Sequence, residues 1–109
     1  MRVWDISPYK LCRNHLLGEH SEIHAIWLIL TKNKEGFAHH PETIRWKGKL
    51  KALYFRHEKI VQEMKKRGFN YKSPLNNGLA TVKSVQNDFV DFIEDQIRIL
   101  KNKNCECKI

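Results

Sequence analysis

The stretch Leu11–Leu30, LCRNHLLGEHSEIHAIWLIL, decides the fold class. Leu16, Leu17, Ile23, Ile26, Trp27 and Leu30 recur at three- and four-residue steps, which draws one apolar stripe down a helix. The segment SPYK before it, residues 7–10, reads as a turn or helix entry, with Ser7 capping and Pro8 at the first helical position. On the polar side His15, Glu19 and Glu22 stand at i, i+4 and i+7 and project from one face, while His20 and His24 lie on a neighbouring flank.

The same periodicity continues outward. After a polar loop, TKNKEGFAHHPET (residues 31–43), a second helix is expected over Thr43–Arg67, with Leu50, Leu53, Tyr54, Ile60, Val61 and Met64 inward. Gly68 follows Lys65-Lys66-Arg67, where a left-handed C-cap belongs and where positive charge suits the helix end. NYKSPLNNG (residues 70–78) is loop by composition. A third helix is expected over Ser84–Lys101, striped by Val85, Phe89, Phe92, Ile93, Ile97 and Leu100. No period-two strand pattern occurs. The expectation is an all-α, compact single domain of about three main helices with long polar loops, residues 1–104, and a tail over residues 105–109.

A chain of 109 residues supports one core. Its longest apolar run, Ala25–Leu30, has six residues, far short of the roughly 18–20 of a membrane span. No basic-then-apolar segment opens the chain, so a cytoplasmic location beside chromosomal or viral DNA, with no membrane partner, is expected. The net charge is +8. It is local: residues 43–72 hold ten Lys/Arg and two Glu, whereas residues 84–100 hold one Arg and four acids. A concentrated positive stretch points to a polyanionic partner, nucleic acid above all. Cys12 stands alone and Cys105 and Cys107 form a C-x-C; a two-thiolate tail falls short of the four ligands of a structural zinc site. The tail therefore reads as disordered, with redox pairing or metal capture as the lesser option.

The His/Glu cluster admits three readings: a solvated helix face, a metal site, or a carboxylate assisting a nucleophile held elsewhere. In a zincin helix the glutamate follows the first histidine directly, and here Ser21 follows His20. The third reading needs a nucleophile. GxSxG, a P-loop and GxGxxG are absent, and no cysteine has suitable partners. A lysine, at a pKa of about 10.4, needs strong desolvation, whereas an α-amino group at about 7.7–8.0 is partly neutral at physiological pH. The amine of Met1 is then the candidate, with Arg2 beside it to depress its pKa or hold a phosphate.

With these residues the sequence resembles the pyrimidine-dimer DNA glycosylases of the phage endonuclease V type. That family's N-terminal amine is followed by arginine and then by a helix bearing His-Leu-x-x-Glu-x-x-Glu; here MR opens the chain and HLLGEHSE supplies His15, Glu19 and Glu22. A second match is KKRGFN, residues 65–70. Two family arginines flanking the last glutamate are replaced by Ser21 and Ala25, and the family's aromatic, basic tail by KNKNCECKI.

The resemblance implies a glycosylase with associated abasic-site (AP) lyase activity on double-stranded DNA containing damaged bases or abasic sites. Met1 and Glu22 would be catalytic, Arg2, His15 and Glu19 supporting, and no metal or small-molecule cofactor required. DNA would be bound through Lys47, Lys49, Lys51, Arg56, Lys65, Lys66 and Arg67. Trp46 has two open readings, core or DNA contact, whereas Trp4 and Trp27 read as core. The alternatives are a non-catalytic basic nucleic-acid-binding module, and a metal-dependent hydrolase built on His15, His20, His24 and the glutamates.

Overall fold

The structure, a computed structural model, describes residues 2–32, 39–69, 74–75, 77–103 and 105–108. It is all-α as expected: α1 (Arg13–Lys32), α2 (Pro41–Arg45), α3 (Leu50–Lys66) and α4 (Ile93–Asn102), with 3₁₀ turns at Pro8–Lys10 and Asn77–Leu79. No strand occurs among the described residues, and no helix there is long and apolar enough to cross a membrane.

Helices α1 and α3 form the central pair. Arg13 lies over Phe69, His24 meets His57, and Trp27 meets Tyr54, so the two run antiparallel. Their facing stripes, Leu16, Ile23, Ile26 and Trp27 against Leu53, Ile60 and Met64, are buried together with Val3, Trp4, Ile6 and Leu100. Trp4 and Trp27 are core, as expected.

The chain stops α3 as its sequence predicts. Gly68 takes φ +82°, a left-handed conformation that costs a residue with a Cβ. Phe69 N–H then bonds Met64 O at 3.0 Å and Gly68 N–H bonds Lys65 O at 3.0 Å, which is a Schellman motif. Pro8 opens its turn as expected, but the Ser7 side chain makes no cap bond. His40 caps α2 instead, its Nδ1 accepting Glu42 N–H at 3.1 Å, with Pro41 next in line.

Two expectations are corrected. The helix expected over Thr43–Arg67 is two helices, broken at Trp46–Lys49, where Gly48 has φ +74°. Residues 81 and 83 fill the break: Lys51 N–H bonds Thr81 O and Ala52 N–H bonds Lys83 O, satisfying first-turn donors of α3 that no side chain caps. The third helix begins nine residues later than expected, at Ile93, and Val85, Phe89 and Phe92 are exposed instead of striping a core. The polar groups of residues 86–91 are engaged elsewhere. Gln86 donates to Arg45 O, Asp88 pairs with Lys49, and Asp91 pairs with Arg2. The acidic segment is thus stitched to the basic one.

Candidate active site

The site is built from the N-terminal segment. Val3, Trp4 and Ile6 bury their side chains, so their backbone runs inside the protein and each N–H needs a partner. Three helices supply partners in succession. Val3 N–H donates to Glu42 Oε1 at 2.9 Å, Trp4 N–H to Glu19 Oε1 at 2.9 Å, and Asp5 N–H to Gln96 Oε1 at 2.8 Å. Each acceptor is itself held. Arg56 clamps Glu19 through Nε at 2.6 Å and Nη2 at 3.1 Å, and Arg45 clamps Glu42 while also donating to Val3 O, Asp5 and Asp88 O. Burial pushes the Glu19 carboxyl up, and Arg56 and the Trp4 N–H oppose that rise.

This anchoring brings Arg2 to a cavity of about 200 Å³ that is also lined by Trp4, Asn14, His15, Gly18, Glu19, Glu22 and Lys103. His15, Glu19 and Glu22 line it together, as their helical register predicts, and Arg2 joins them there. Glu19 and Glu22 differ sharply. Glu19 is 1% exposed and committed to Arg56 and the backbone, whereas Glu22 is half-buried and, among the described residues, makes no hydrogen bond or ion pair. Arg2 pairs with Asp91 and lies over the Trp4 ring. Burial and the nearby Lys103 charge push the His15 imidazole below its ordinary pKa. Met1, one covalent step before Arg2, lies outside the described residues.

Lys103 and Gly18 were not singled out in the sequence. Lys103 follows α4 and reaches the cavity only through tertiary packing, so no local pattern announces it. Gly18 had a readable signal, since glycine inside an apolar-striped helix costs stability and asks for a reason. A Cβ there would meet no atom within 4 Å, and the residue lines the cavity. The bare backbone widens the site.

Several residues expected to contact DNA make contacts within the protein. Trp46 is 2% exposed with its indole N–H toward Glu42, so it belongs to the core. Arg56 is consumed by Glu19 and Ile6 O, and Lys49 by Gln86 and Asp88. Arg67 binds Glu63 and the carbonyls of Pro8, Tyr9 and Leu11. Lys47, Lys51, Lys65 and Lys66 are exposed.

The histidines and cysteines sort into two groups. His20 and His24 gather with His57, away from the cavity residues, while His15 gathers with Cys12, Cys105 and Cys107. A hydrolase site combining His15, His20 and His24 is therefore not assembled. The tail is not loose either: Cys107 packs on the core and Lys108 N–H bonds Lys10 O at 2.7 Å.

No curated protein and no solved structure matches the chain. A family model described as pyrimidine dimer DNA glycosylase matches residues 1–77, which takes in the N-terminal segment, α1, α2 and α3. The chain belongs to the pyrimidine dimer DNA glycosylase family.

Proposed function

We propose that the protein excises damaged bases, pyrimidine dimers first among them, from duplex DNA and then cleaves the abasic strand, using the Met1 amine as nucleophile and Glu22 as the assisting carboxylate. The observation that carries this reading is the cavity where Arg2, Met1's covalent neighbour, meets Glu22 and His15 on a backbone anchored at three consecutive N–H groups. An amine of pKa about 7.7–8.0 next to a guanidinium keeps a neutral fraction at physiological pH.

The amine lone pair attacks the anomeric carbon as the glycosidic bond breaks, and the departing base takes the bonding electrons and a proton. Glu22 stabilises the cationic sugar. Ring opening leaves an imine between the amine nitrogen and the sugar carbon. Loss of a proton from the adjacent sugar carbon then expels the 3′ phosphate by β-elimination, with Glu22 moving protons. Arg2 and Lys103 supply positive charge for phosphates beside the reacting sugar. The attacked carbon is hidden in stacked DNA, so base extrusion or bending must precede attack.

Borohydride trapping on duplexes containing a pyrimidine dimer or an abasic site tests this. The expected result is a covalent adduct mapping to the N-terminal peptide, lost when the amine is acetylated while DNA binding persists. Protein that binds DNA but gives no adduct, under conditions that trap a known lyase, would make it a non-catalytic DNA-binding module.

A further inference from the structure

We infer that Cys12, His15, Cys105 and Cys107 form a structural zinc site that clasps the C-terminal tail to the start of α1. The three sulfur atoms and one ring nitrogen all lie within 4.8 Å of one another. Cys12 Sγ is 3.1 Å and Cys107 Sγ 3.3 Å from the same His15 Nδ1. Zinc with bonds of about 2.3 Å to sulfur and about 2.0–2.1 Å to nitrogen sets tetrahedral ligand atoms about 3.6–3.8 Å apart. The two sulfur–nitrogen distances of 3.1 and 3.3 Å fall just below that spacing, and no pair among the four atoms exceeds 4.8 Å.

Ligand chemistry selects the ion. Three soft thiolates and one imidazole favour zinc over the hard, oxygen-seeking cations, and four protein ligands leave no open position for catalysis. The three cysteines are unpaired thiols and an odd number, so no set of disulfides within one chain would satisfy them all.

The surroundings fit a thiolate. Cys12 carbonyl accepts the first α1 bond, from Leu16 N–H at 2.9 Å, so Cys12 stands at the N-cap, where Ser, Thr, Asp or Asn is usual. Its own N–H points to Cys107 Sγ at 3.1 Å, a backbone donor on a ligand sulfur. Donors to sulfur around a helix N-terminus stabilise a coordinated thiolate. On binding, the three thiols lose their protons to solvent, giving a site of charge −1 with neutral His15, near the positive Lys103.

The clasp has a consequence for the cavity. His15 and Lys103 line it, and each is a ligand or stands two residues from one. Metal on Nδ1 fixes the His15 ring and keeps a proton on Nε2, making His15 a positioning residue with a permanent donor.

The test uses the full chain, untagged and reduced, without DNA. Atomic spectrometry after gel filtration should find about one zinc per chain. Cobalt added to metal-depleted protein should give the visible bands of a tetrahedral thiolate complex. C105S and C107S should each weaken cobalt binding at least about tenfold. A picolinate-type chelator should lower the melting temperature of the wild type and leave that of C105S unmoved. If folded, reduced wild type shows no tetrahedral cobalt spectrum, or if its intact mass reports a disulfide, the inference fails. The wild-type spectrum decides even where a variant does not fold.

Discussion

Two glutamates three residues apart on α1 carry different loads. Glu19 ties Trp4 and Arg56 together, and Glu22, one turn on, faces the cavity without a partner among the described residues. Replacing Glu22 by Gln removes a proton-transferring charge while sparing the packing. Base excision and strand cleavage should fall by about 10²–10⁴-fold with the unfolding midpoint unchanged, read from gel-resolved cleavage alongside urea denaturation. Gly18 offers the converse test. Alanine there should stabilise α1 by about 0.5–1 kcal/mol because glycine is the poorer helix former. Its methyl would project into the cavity, so substrate KM should rise. A stabilised variant with unaltered KM would show that the bare backbone serves no substrate. Spacing along one helix revealed Glu22 and His15; Lys103 stayed hidden because its approach to them depends on how α4 returns.

Elements end where their local chemistry tells them to, or where a distant segment intervenes. The α3 terminus is of the first kind, since Gly68 and the preceding cations suffice. Gly68→Ala should cost about 1–2 kcal/mol, measured by urea denaturation, because alanine must adopt φ +82°. The start of α3 is of the second kind: backbone carbonyls at 81 and 83 fill its first turn, and no periodicity can foresee them. The same holds for residues 84–92, whose apolar spacing suits a helix yet whose polar groups pair with Arg45, Lys49 and Arg2. Between α1 and α3 the Glu19–Arg56 pair is buried. Arg56→Met should destabilise by roughly 3–5 kcal/mol, because Glu19 is left charged inside the core, and the melting temperature should drop accordingly.

At the scale of the whole molecule, charge and pH come into play. Arg45, Lys49, Arg56 and Arg67 are each paired with a carboxylate, so the +8 excess is carried by the other basic side chains, the exposed Lys47, Lys51, Lys65 and Lys66 among them. Lys51 and Lys65 stand about 21 Å apart along α3, so they would meet separate stretches of DNA backbone. Removing an exposed lysine that touches phosphate should reduce the salt slope of duplex binding by about 1. An unchanged slope would remove that lysine from the interface.

His20, His24 and His57 pack in one cluster, with Glu58 on His57 Nδ1. Burial first, then the His24 and His57 charges, lower His20 to about 4. Below its unfolded value of about 6.5, the unfolded chain binds the proton more readily, so stability is lost as pH falls from about 6.5 towards 4. Glu19, with its carboxyl raised, acts in the opposite sense, so the comparison is between wild type and His20→Gln. Denaturation at pH 7 and pH 5 should show the variant losing roughly 1 kcal/mol less than wild type, after allowance for solvent screening.

The sequence by itself determined the all-α class, the apolar stripes of α1 and α3, the Gly68 stop, and the register that sets Glu22 and His15 on one face. All of these follow from interactions within a few residues, which periodicity and capping express directly. The tertiary structure alone decided which cations are spent inside, where Lys103 stands, and that Cys105 and Cys107 meet Cys12 and His15. Those pairings join residues up to 95 positions apart, and only the closed packing of the chain selects them.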